Sequence, residues 1–386
     1  MPENKIYLDY AATTPVDERV LAAMLPYFHE RFGNPSSIHT YGQQAEAAVE
    51  EARQVVAGRL NCQPEEVVFT SCGSESDNLA LRGAAFMARR GRNANRILIS
   101  PVEHHAVSRT AELLEKYHGF EVEFLPVDEY GMVRLEELPG LIREDTAVVS
   151  VIHANNEIGT INSLAEIANV CHQFGVPLHT DAVQSGAYLP MDVQALSVQM
   201  LSLGAHKFYG PKGVGVLYVR KGTMLEPVQT GGGQEGGLRA GTQNVPYIVG
   251  LAKAFELAQA ERMERTQRLQ PLRDCLIGTI LEEIPASRLT GHPVQRLPNH
   301  ASFVFHGVDG NALLMLLDTT GFACSSGSAC KTGNPEPSEV LTALGLSRGW
   351  ALGSLRVTLG VSTTPEHIEQ FLKVLPEVVQ KARKAR

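Results

Sequence analysis

The sequence predicts an α/β fold in which a mostly parallel, seven-stranded sheet is covered by helices, with a second, smaller α+β domain after it. Two observations support this prediction. Through the first two-thirds of the 386 residues, apolar runs of strand length alternate with helical patterns, and strands that are apolar on both faces are typical of parallel sheets buried between helices. Beyond about residue 270, a shorter set of strands and helices follows a long charged helix, which indicates a separate domain.

Each element follows from a local pattern. The strands of the large domain are predicted at the apolar runs 66–69, 97–100, 122–127, 147–153, 176–181, 199–203 and 214–219. Helical periodicity predicts helices over 19–28, 43–60, 75–90, 162–174 and, as the connector between the domains, 251 to about 270. The smaller domain is predicted from a strand at 301–305, a helix at 310–318, a strand at 354–360 and a terminal helix from Pro365.

The composition excludes several classes of protein. The chain has 34 basic and 42 acidic residues, a net charge of −8, whereas binding to a nucleic-acid backbone needs a clustered basic surface. Apolar runs such as 312–317 are far shorter than the ~18 residues of a membrane span. Six cysteines without CxxC or zinc-like spacing are too few for a disulfide scaffold. Since Glu3 and Asp9 interrupt any secretory signal, we expect a cytoplasmic protein with no membrane and no direct nucleic-acid contact.

Polar residues that follow the predicted strands are the first candidates for a site, because ligands of open α/β sheets bind outside the carboxyl ends of the strands. The segment 70–76 (TSCGSES) begins a predicted helix, where free N–H groups and the helix dipole suit a phosphate. The alternative is an ordinary helix N-cap formed by Ser74. Asp181 ends another strand, with Gln184 one turn later. Its carboxylate can hold a protonated ring nitrogen, or it can cap the next helix.

A lysine in a tight turn between two predicted strands is the candidate for covalent chemistry. Lys207 follows His206 in this turn, and partial desolvation would lower its pKa enough for a Schiff base. One alternative is an ordinary solvated loop lysine. The other is Lys212, whose Gly-Pro-Lys-Gly setting predicts an exposed turn.

Three further segments give weaker signals. The run 231–242 (GGGQEGGLRAGT) formally matches a dinucleotide fingerprint but lacks the strand before it and the helix after it, so we interpret it as a flexible or close-approach loop. His104, after a predicted strand, has no carboxylate or thiolate at metal-ligand spacing, so we predict no metal site. Cys330 lies in a loop rich in Ser, Gly and Pro, where a thiol is accessible, whereas Cys324 beside Phe322 is predicted to pack as a small hydrophobe.

Ordered motifs extend over nearly the whole chain. They are YLDYAATTP (7–15), FGNPSSIH (32–39), FTSCGSESDNLA (69–80), EHHAV (103–107), NNEIG (155–159), HTDAVQ (179–184), AHKFYGPKGVG (205–215), GGGQEGGLRAGT (231–242), SSGSAC (325–330) and SLRVTLG (354–360). Together they resemble the class V branch of the fold-type I pyridoxal-phosphate enzymes, and specifically the NifS/IscS-like cysteine desulfurases. The SSGSAC motif is similar to that of the group with a mobile catalytic loop and unlike the Arg-x-Gly-His-His-Cys motif of the other group.

The resemblance implies pyridoxal 5'-phosphate as the cofactor and a role for each matching residue. Lys207 would bind the cofactor covalently and then shuttle protons. Asp181 would pair with the pyridinium nitrogen, which keeps the ring an effective electron sink. His104 would stack on the ring and assist proton transfer, and Gln184 would hydrogen-bond the phenolic oxygen. The remaining cofactor-binding residues implied by the resemblance are Gly73, Ser74, Asn155, Gly204, His206 and, from a neighbouring subunit, Thr242.

The implied reaction removes sulfur from L-cysteine and gives L-alanine and a persulfide on the catalytic Cys330. Asn155 and Arg356 would bind the substrate carboxylate, the arginine through a bidentate fork that a lysine cannot form. Cys330 would attack as a thiolate, and its loop, about 324–338, would move between the substrate and a sulfur acceptor. Acceptors of this kind include an iron–sulfur scaffold, with transient contact to its cluster, and the pathways to sulfur-containing cofactors and tRNA. A selenocysteine lyase or a related lyase with the same cofactor is the alternative.

The resemblance also implies a homodimer and places the domain boundaries. Residues 16–258 would form the large domain, which binds the cofactor. Residues 1–15 and 259–386 would form the small domain, which carries the loop with Cys330.

Four positions depart from the usual pattern of the family or adjoin its phosphate turn. Gly204 lies at a cofactor-binding position where a hydroxyl residue is frequent, Gly236 replaces a frequent Arg, and Ala240 replaces a frequent Ser. Cys72 directly precedes the phosphate turn. We expect Gly204 to loosen cofactor binding, and none of the four positions to change the class of reaction.

Overall fold

The structure, a computed structural model, describes residues 5–327 and 336–384, so Cys330 lies outside the described residues. The strands are β1 (Ile6–Tyr7), β2 (Val67–Thr70), β3 (Arg96–Ile99), β4 (Glu121–Phe124), β5 (Thr146–Ser150), β6 (Leu178–Asp181), β7 (Met200–Gly204), β8 (Gly215–Val219), β9 (Ser287–Leu289), β10 (His300–Phe305), β11 (Phe322–Ala323) and β12 (Ser354–Thr358). The α-helices are α1 (Glu18–Met24), α2 (Pro26–His29), α3 (Thr40–Leu60), α4 (Gly73–Arg92), α5 (His105–His118), α6 (Leu138–Leu141), α7 (Leu164–Gln173), α8 (Val193–Leu196), α9 (Val245–Ala260), α10 (Arg262–Glu283), α11 (Gly310–Thr319), α12 (Glu339–Ala343), α13 (Arg348–Ala351) and α14 (Pro365–Lys384).

A seven-stranded sheet with the order β2-β8-β7-β6-β5-β3-β4 forms the larger part of the chain. From β7 to β4 neighbouring strands are parallel, whereas β8 is antiparallel to both of its neighbours. The strands are buried on both faces: in β3, Leu98 packs on one side with α3, α7 and α9, while Ile97 and Ile99 pack on the other side with α4 and α5. The prediction of a mostly parallel sheet covered by helices is confirmed.

The reversal between β7 and β8 fixes the position of Lys207. After β7 the chain forms a single 3-10 turn, Ala205–Lys207, and returns through β8 alongside β7. The backbone N–H of Ala205 donates to the carbonyl of Val214 and closes this connection at 3.2 Å. Because β6 and β7 are adjacent and parallel, Lys207 lies beyond the same edge of the sheet as Asp181, the last residue of β6.

The chain after α10 builds a second, smaller sheet. Strands β9, β10 and β12 form an antiparallel sheet in the order β12-β10-β9. The N-terminal strand β1 pairs in parallel with β11, so the first residues of the chain pack against the C-terminal part. Helix α14 contributes Phe371, whose ring contacts Phe322 edge-on at 5.2 Å between centroids. This arrangement of strands and helices is the predicted α+β unit.

Two helix predictions need correction, and five of the described helices were not predicted: α5 and the short helices α6, α8, α12 and α13. The helix expected over 19–28 is divided into α1 and α2, because Pro26 has no N–H to donate and starts a new helix. The connector expected over 251 to about 270 is two helices, α9 and α10, which meet at Glu261. Helix α5 had no counterpart in the sequence analysis, although it buries Val107 and Leu114. Among the described residues, no helix combines the length and apolar character that crossing a bilayer would require.

Candidate active site

A cavity of about 280 Å³ lies at the carboxyl ends of β6 and β7. Eight residues that the sequence analysis selected line it: Gly73, Ser74, His104, Asp181, Gln184, His206, Lys207 and Arg356. A larger groove of about 630 Å³ runs along α4 and contains none of the predicted residues. The chemistry-bearing side chains therefore converge on the smaller cavity, from the edge of the sheet where a ligand of an α/β fold is expected.

The amine of Lys207 is held inside this cavity by the N-terminal segment. Its Nζ donates hydrogen bonds to the carbonyl oxygens of Ala11, at 2.6 Å, and Ala12, at 2.7 Å. Burial and the positive charge of Arg356 lower the pKa of Lys207 to about 8, against the opposing effect of Asp181. A larger fraction of the amine is therefore neutral near physiological pH than for a solvated lysine, and a neutral amine can attack a carbonyl.

Lys212, the competing candidate, is exposed. It follows Pro211 and is not among the residues that line the cavity of Lys207. Its amine is therefore not directed at the groups that line this cavity. Lys207 is therefore the lysine that the geometry selects.

Asp181 supplies a buried carboxylate at the bottom of the cavity. Its side chain is 5% exposed, and Oδ1 accepts a hydrogen bond from the backbone N–H of Val183 at 2.9 Å. Burial, together with the carboxylate of Asp77, raises the pKa of Asp181 to about 6. Residues 183–188 form turns and not a helix, so the alternative that Asp181 caps a helix is wrong. A cationic ring nitrogen placed against this carboxylate would stabilise its charged form.

The turn before α4 presents backbone N–H groups to the cavity. Helix α4 begins at Gly73, and its N-cap residue Cys72 makes no side-chain capping bond. Ser74 lies inside the first helical turn, so the alternative in which Ser74 is the N-cap is wrong. A Cβ atom on Gly73 would lie 2.7 Å from Cγ2 of Val183, which requires glycine at this close approach. The free N–H groups and the dipole of a 20-residue helix suit a phosphate.

Two neutral imidazoles complete the wall of the cavity. Nδ1 of His104 accepts a hydrogen bond from the backbone N–H of Ala106 at 3.1 Å, so the proton of a neutral ring is on Nε2. Burial lowers the pKa of His104. His206 pairs with the hydroxyl of Thr13 at 3.2 Å, and burial with the nearby Lys207 lowers its pKa to about 4. Both rings are therefore uncharged at neutral pH.

Arg356 on β12 closes the opposite end of the cavity. It is 7% exposed. Its Nη1 donates to the carbonyl of Asn156 at 2.9 Å, and its Nη2 donates to Oδ1 of Asp9 at 2.9 Å. A buried guanidinium facing the amine of Lys207 across a small cavity is suited to a ligand with a carboxylate group.

Comparison with known proteins identifies the family. The aminotransferase class-V model matches residues 6–371. The chain is 49% identical over 383 residues to cysteine desulfurase IscS of Methanosarcina thermophila. The aligned region covers 99% of this chain and 94% of that protein. The chain belongs to the cysteine desulfurases.

Solved structures agree with this assignment. A NifS-like protein superposes with a TM-score of 0.90 at 38% sequence identity, and the match covers 98% of this chain and 100% of that chain. SspA in complex with cysteine superposes with a TM-score of 0.80 at 36% identity, over 92% of this chain and 98% of that chain. The predictions of the family, the fold and a desulfurase that depends on pyridoxal phosphate are confirmed.

The residues of this desulfurase fit its cofactor. The amine of Lys207 can bind the aldehyde of pyridoxal phosphate covalently, and the buried carboxylate of Asp181 can pair with the pyridine nitrogen. The N–H groups at Gly73 and Ser74 can bind the phosphate. All of these groups line one cavity. One carboxylate oxygen of Asp77 is buried there without a hydrogen-bond partner, which is the environment expected beside a cationic ring.

Asp77 is a residue of this site that the sequence analysis missed. It is 1% exposed, and burial raises its pKa to about 7. Its carboxylate, that of Asp181 and a ring nitrogen of His104 lie within 4.8 Å of one another, close enough to ligate a metal ion. The prediction of no metal site rested on spacing along the sequence, whereas the fold brings His104 near two carboxylates that are distant in sequence. The signal available was position: Asp77 lies three residues after Ser74, on the same face of α4.

Asn155 is not among the residues that line the cavity, so its role for cofactor and substrate stays a prediction. Its Nδ2 donates to the carbonyl of Val102 at 2.7 Å, and its Oδ1 accepts from the N–H groups of Glu157 and Ile158. The amide is thus used to shape the turn after β5. Its neighbour Asn156 lines the cavity instead.

Three other predicted positions lie outside the cavity or outside the described residues. Gly204 ends β7 and is not part of the lining. Thr242 is exposed and borders a separate cavity of about 230 Å³ together with Arg239, so within its own chain it does not reach the cofactor site. Cys330 is outside the described residues.

Cys324 packs against the main core, and burial raises the pKa of its thiol, as predicted for a packed cysteine.

Proposed function

We propose that this desulfurase converts L-cysteine to L-alanine and a persulfide on Cys330. The Cys330 thiolate forms a bond to the substrate sulfur while the Cβ–S bond breaks, and Cβ keeps the bonding electrons and takes up one proton to become the methyl group of alanine. The observation that carries this proposal is that Lys207, Asp181 and Arg356 face one cavity. The cysteine complex of the related SspA supports the choice of substrate.

Bound pyridoxal phosphate would supply an electron sink that makes the Cα proton of cysteine acidic. Asp181 would hold the pyridine nitrogen in its protonated form. Gly73, Ser74 and His206 would bind the phosphate, and Gln184, whose Nε2 donates to the carbonyl of Ala11 at 2.9 Å, would reach the phenolic oxygen. His104 would lie against the ring and keep water from that face.

Lys207 would carry protons during the reaction. Its amine is anchored on the carbonyls of Ala11 and Ala12, and its pKa of about 8 allows it to gain and lose a proton near neutral pH. Arg356 would hold the substrate carboxylate, so that Cα faces the amine and the side-chain sulfur stays free to react. This orientation leaves the sulfur as the group that a thiolate attacks.

The remaining proposals concern assembly and partners. We infer a homodimer in which the exposed Thr242 of one subunit serves the phosphate of the other. The domain division at 16–258, with 1–15 and 259–386 in the small domain, is supported by the pairing of β1 with β11. We also propose a cytoplasmic location and transfer of the persulfide to an acceptor such as an iron–sulfur scaffold, and the similarity to IscS supports both.

The test is the variant Cys330→Ala in the complete holoenzyme, with the exposed Cys275 changed to Ala as the matched control. We expect Cys330→Ala to keep the visible cofactor band but to lose nearly all alanine and sulfide production from L-cysteine, while Cys275→Ala keeps both. Trapping the persulfide by alkylation should label Cys330. Full activity in Cys330→Ala, or a label on another cysteine, would reject this role. Retained turnover of selenocysteine but not cysteine by that variant would favour the lyase alternative.

A further inference from the structure

The N-terminal segment places a carboxylate directly on the guanidinium of Arg356. Oδ1 of Asp9 accepts from Nη2 of Arg356 at 2.9 Å, although the two residues are 347 positions apart in sequence. Both side chains are largely shielded from solvent, at 14% and 9% exposed. An ion pair with this little solvent is screened less than one on the surface, so it constrains where the guanidinium points.

The second oxygen of Asp9 extends the contact to a third part of the chain. Oδ2 accepts from the hydroxyl of Ser325 at 2.6 Å. The backbones of Ser325 and Arg356 also exchange hydrogen bonds, at 3.3 Å and 2.7 Å. Both carboxylate oxygens of Asp9 therefore accept hydrogen bonds. One binds the Arg356 guanidinium, and the other binds Ser325, whose backbone pairs with that of Arg356. This arrangement fixes the carboxylate from two directions.

Arg356 keeps donor capacity for a ligand in this arrangement. Nη1 and Nη2 each make one bond, to the carbonyl of Asn156 and to Asp9, while the buried Nε has no partner among the described residues. A guanidinium has five N–H groups, so further donors are available on a side chain that is already oriented. The lining of the cavity includes Arg356 but not Asp9, which places the aspartate behind the arginine.

We propose that Asp9 is a positioning residue that aims Arg356 at the substrate carboxylate and balances its charge beside Lys207. This inference rests on the proposed role of Arg356 as the carboxylate-binding residue. Without Asp9, the guanidinium would be free to turn toward other acceptors, and the substrate would lose a prepositioned partner.

Charge gives a second, independent consequence. The charged groups that act on Lys207 are Arg356, which lowers its pKa, and Asp181 and Asp9, which raise it. His104 lines the same cavity, and the charge of Lys207 contributes to lowering the pKa of that imidazole. Removing the negative charge of Asp9 leaves the charge of Arg356 uncompensated. The protonated form of the Lys207 nitrogen is then less stable, so its pKa falls.

Two variants separate position from charge. Asp9→Ala removes both the hydrogen bond that orients Arg356 and the negative charge. We expect KM for L-cysteine to rise about tenfold and kcat to stay within about twofold of the wild type, because substrate binding and not chemistry is weakened. Asp9→Asn keeps an oxygen for Arg356 but no charge, and we expect KM to change less than about threefold. In both variants the pH midpoint of the visible band of the Lys207-bound cofactor should move to lower pH. Asp17→Asn, which removes the charge of a half-buried partner of Arg19, is the control and should change neither KM nor the midpoint.

Arg356→Lys distinguishes failure of this inference from failure of the proposed function. A large rise in KM in Arg356→Lys, together with a wild-type KM in Asp9→Ala, would overturn the positioning role alone. An unchanged KM in Arg356→Lys would instead reject the carboxylate-binding role of the arginine. An unshifted midpoint in both Asp9 variants would overturn the charge-balancing role. The cofactor band itself shows whether each variant is folded.

Discussion

The two ends of the active-site cavity are built in different ways. The cofactor end takes Gly73, Asp181 and Lys207 from the ends of neighbouring elements of one sheet. The substrate end takes Arg356 from the small sheet and holds it with Asp9 from the other end of the chain. The first end is set by sheet topology, and the second by the packing of separate chain segments. Substitutions at the two ends should therefore fail differently.

Loss of the lysine at the cofactor end gives the largest expected effect. Lys207→Ala removes the amine that binds the cofactor and moves protons, so kcat for alanine formation should fall by a factor of about 10³ or more. The visible band should change as the covalent link is lost. Lys212→Ala, at an exposed turn, is the control and should keep the wild-type rate. Retention of more than a tenth of the activity in Lys207→Ala would contradict the assignment.

The pH dependence of cofactor attachment tests the environment of the same amine. Since burial and Arg356 lower the pKa of Lys207 to about 8, and only the neutral amine attacks an aldehyde, the rate should rise about tenfold per pH unit below that value and level off above it. The measurement is recovery of the visible band after pyridoxal phosphate is added to cofactor-free protein. Asp181→Asn should move the midpoint lower, because Asp181 raises the pKa. A midpoint near that of a solvated lysine would show that the cavity does not desolvate this amine.

Part of the cofactor end could be predicted from local signals, although Asn155, Gly204 and Thr242 do not line the cavity. A polar residue directly after an apolar strand reaches the edge of a parallel sheet whatever the rest of the chain does, and Asp181 and Lys207 are cases of this rule. Asp77 was missed although it lies only three residues after Ser74 on α4, because its burial in the cavity is seen only in the folded chain.

The substrate end could be predicted only in part. The resemblance pointed to Arg356, but the partner Asp9 depends on a contact across 347 residues that no local pattern encodes. Asn155 and Asn156 are adjacent in sequence, and the hydrogen bonds of the turn decide which of them faces the cavity. The fold class follows from the alternation of strands and helices, whereas the antiparallel direction of β8 follows from the single turn at Ala205–Lys207.

The smallest expected effect comes from adding a hydroxyl side chain at Gly204, close to the backbone of Gly73. Gly204 has an ordinary extended backbone, with φ −133° and ψ 119°, and a Cβ atom there would lie 3.5 Å from the backbone nitrogen of Gly73. Gly204→Ser should therefore fit, and its hydroxyl should slow cofactor loss by about threefold, the effect of one modest hydrogen bond. Dissociation is followed by the visible band with a trap for free pyridoxal phosphate.

Two matched substitutions make this measurement decisive for the cofactor end. Gly204→Ala fills the same space without a hydroxyl and should leave the dissociation rate unchanged. Gly73→Ala places its Cβ 2.7 Å from Val183, so the turn must shift and the cofactor should be lost faster. If Gly204→Ser and Gly204→Ala behave alike, the hydroxyl adds no bond to the phosphate. In that case glycine at 204 costs this enzyme nothing, and the backbone N–H groups at the start of α4 account for the phosphate contact on this side of the site.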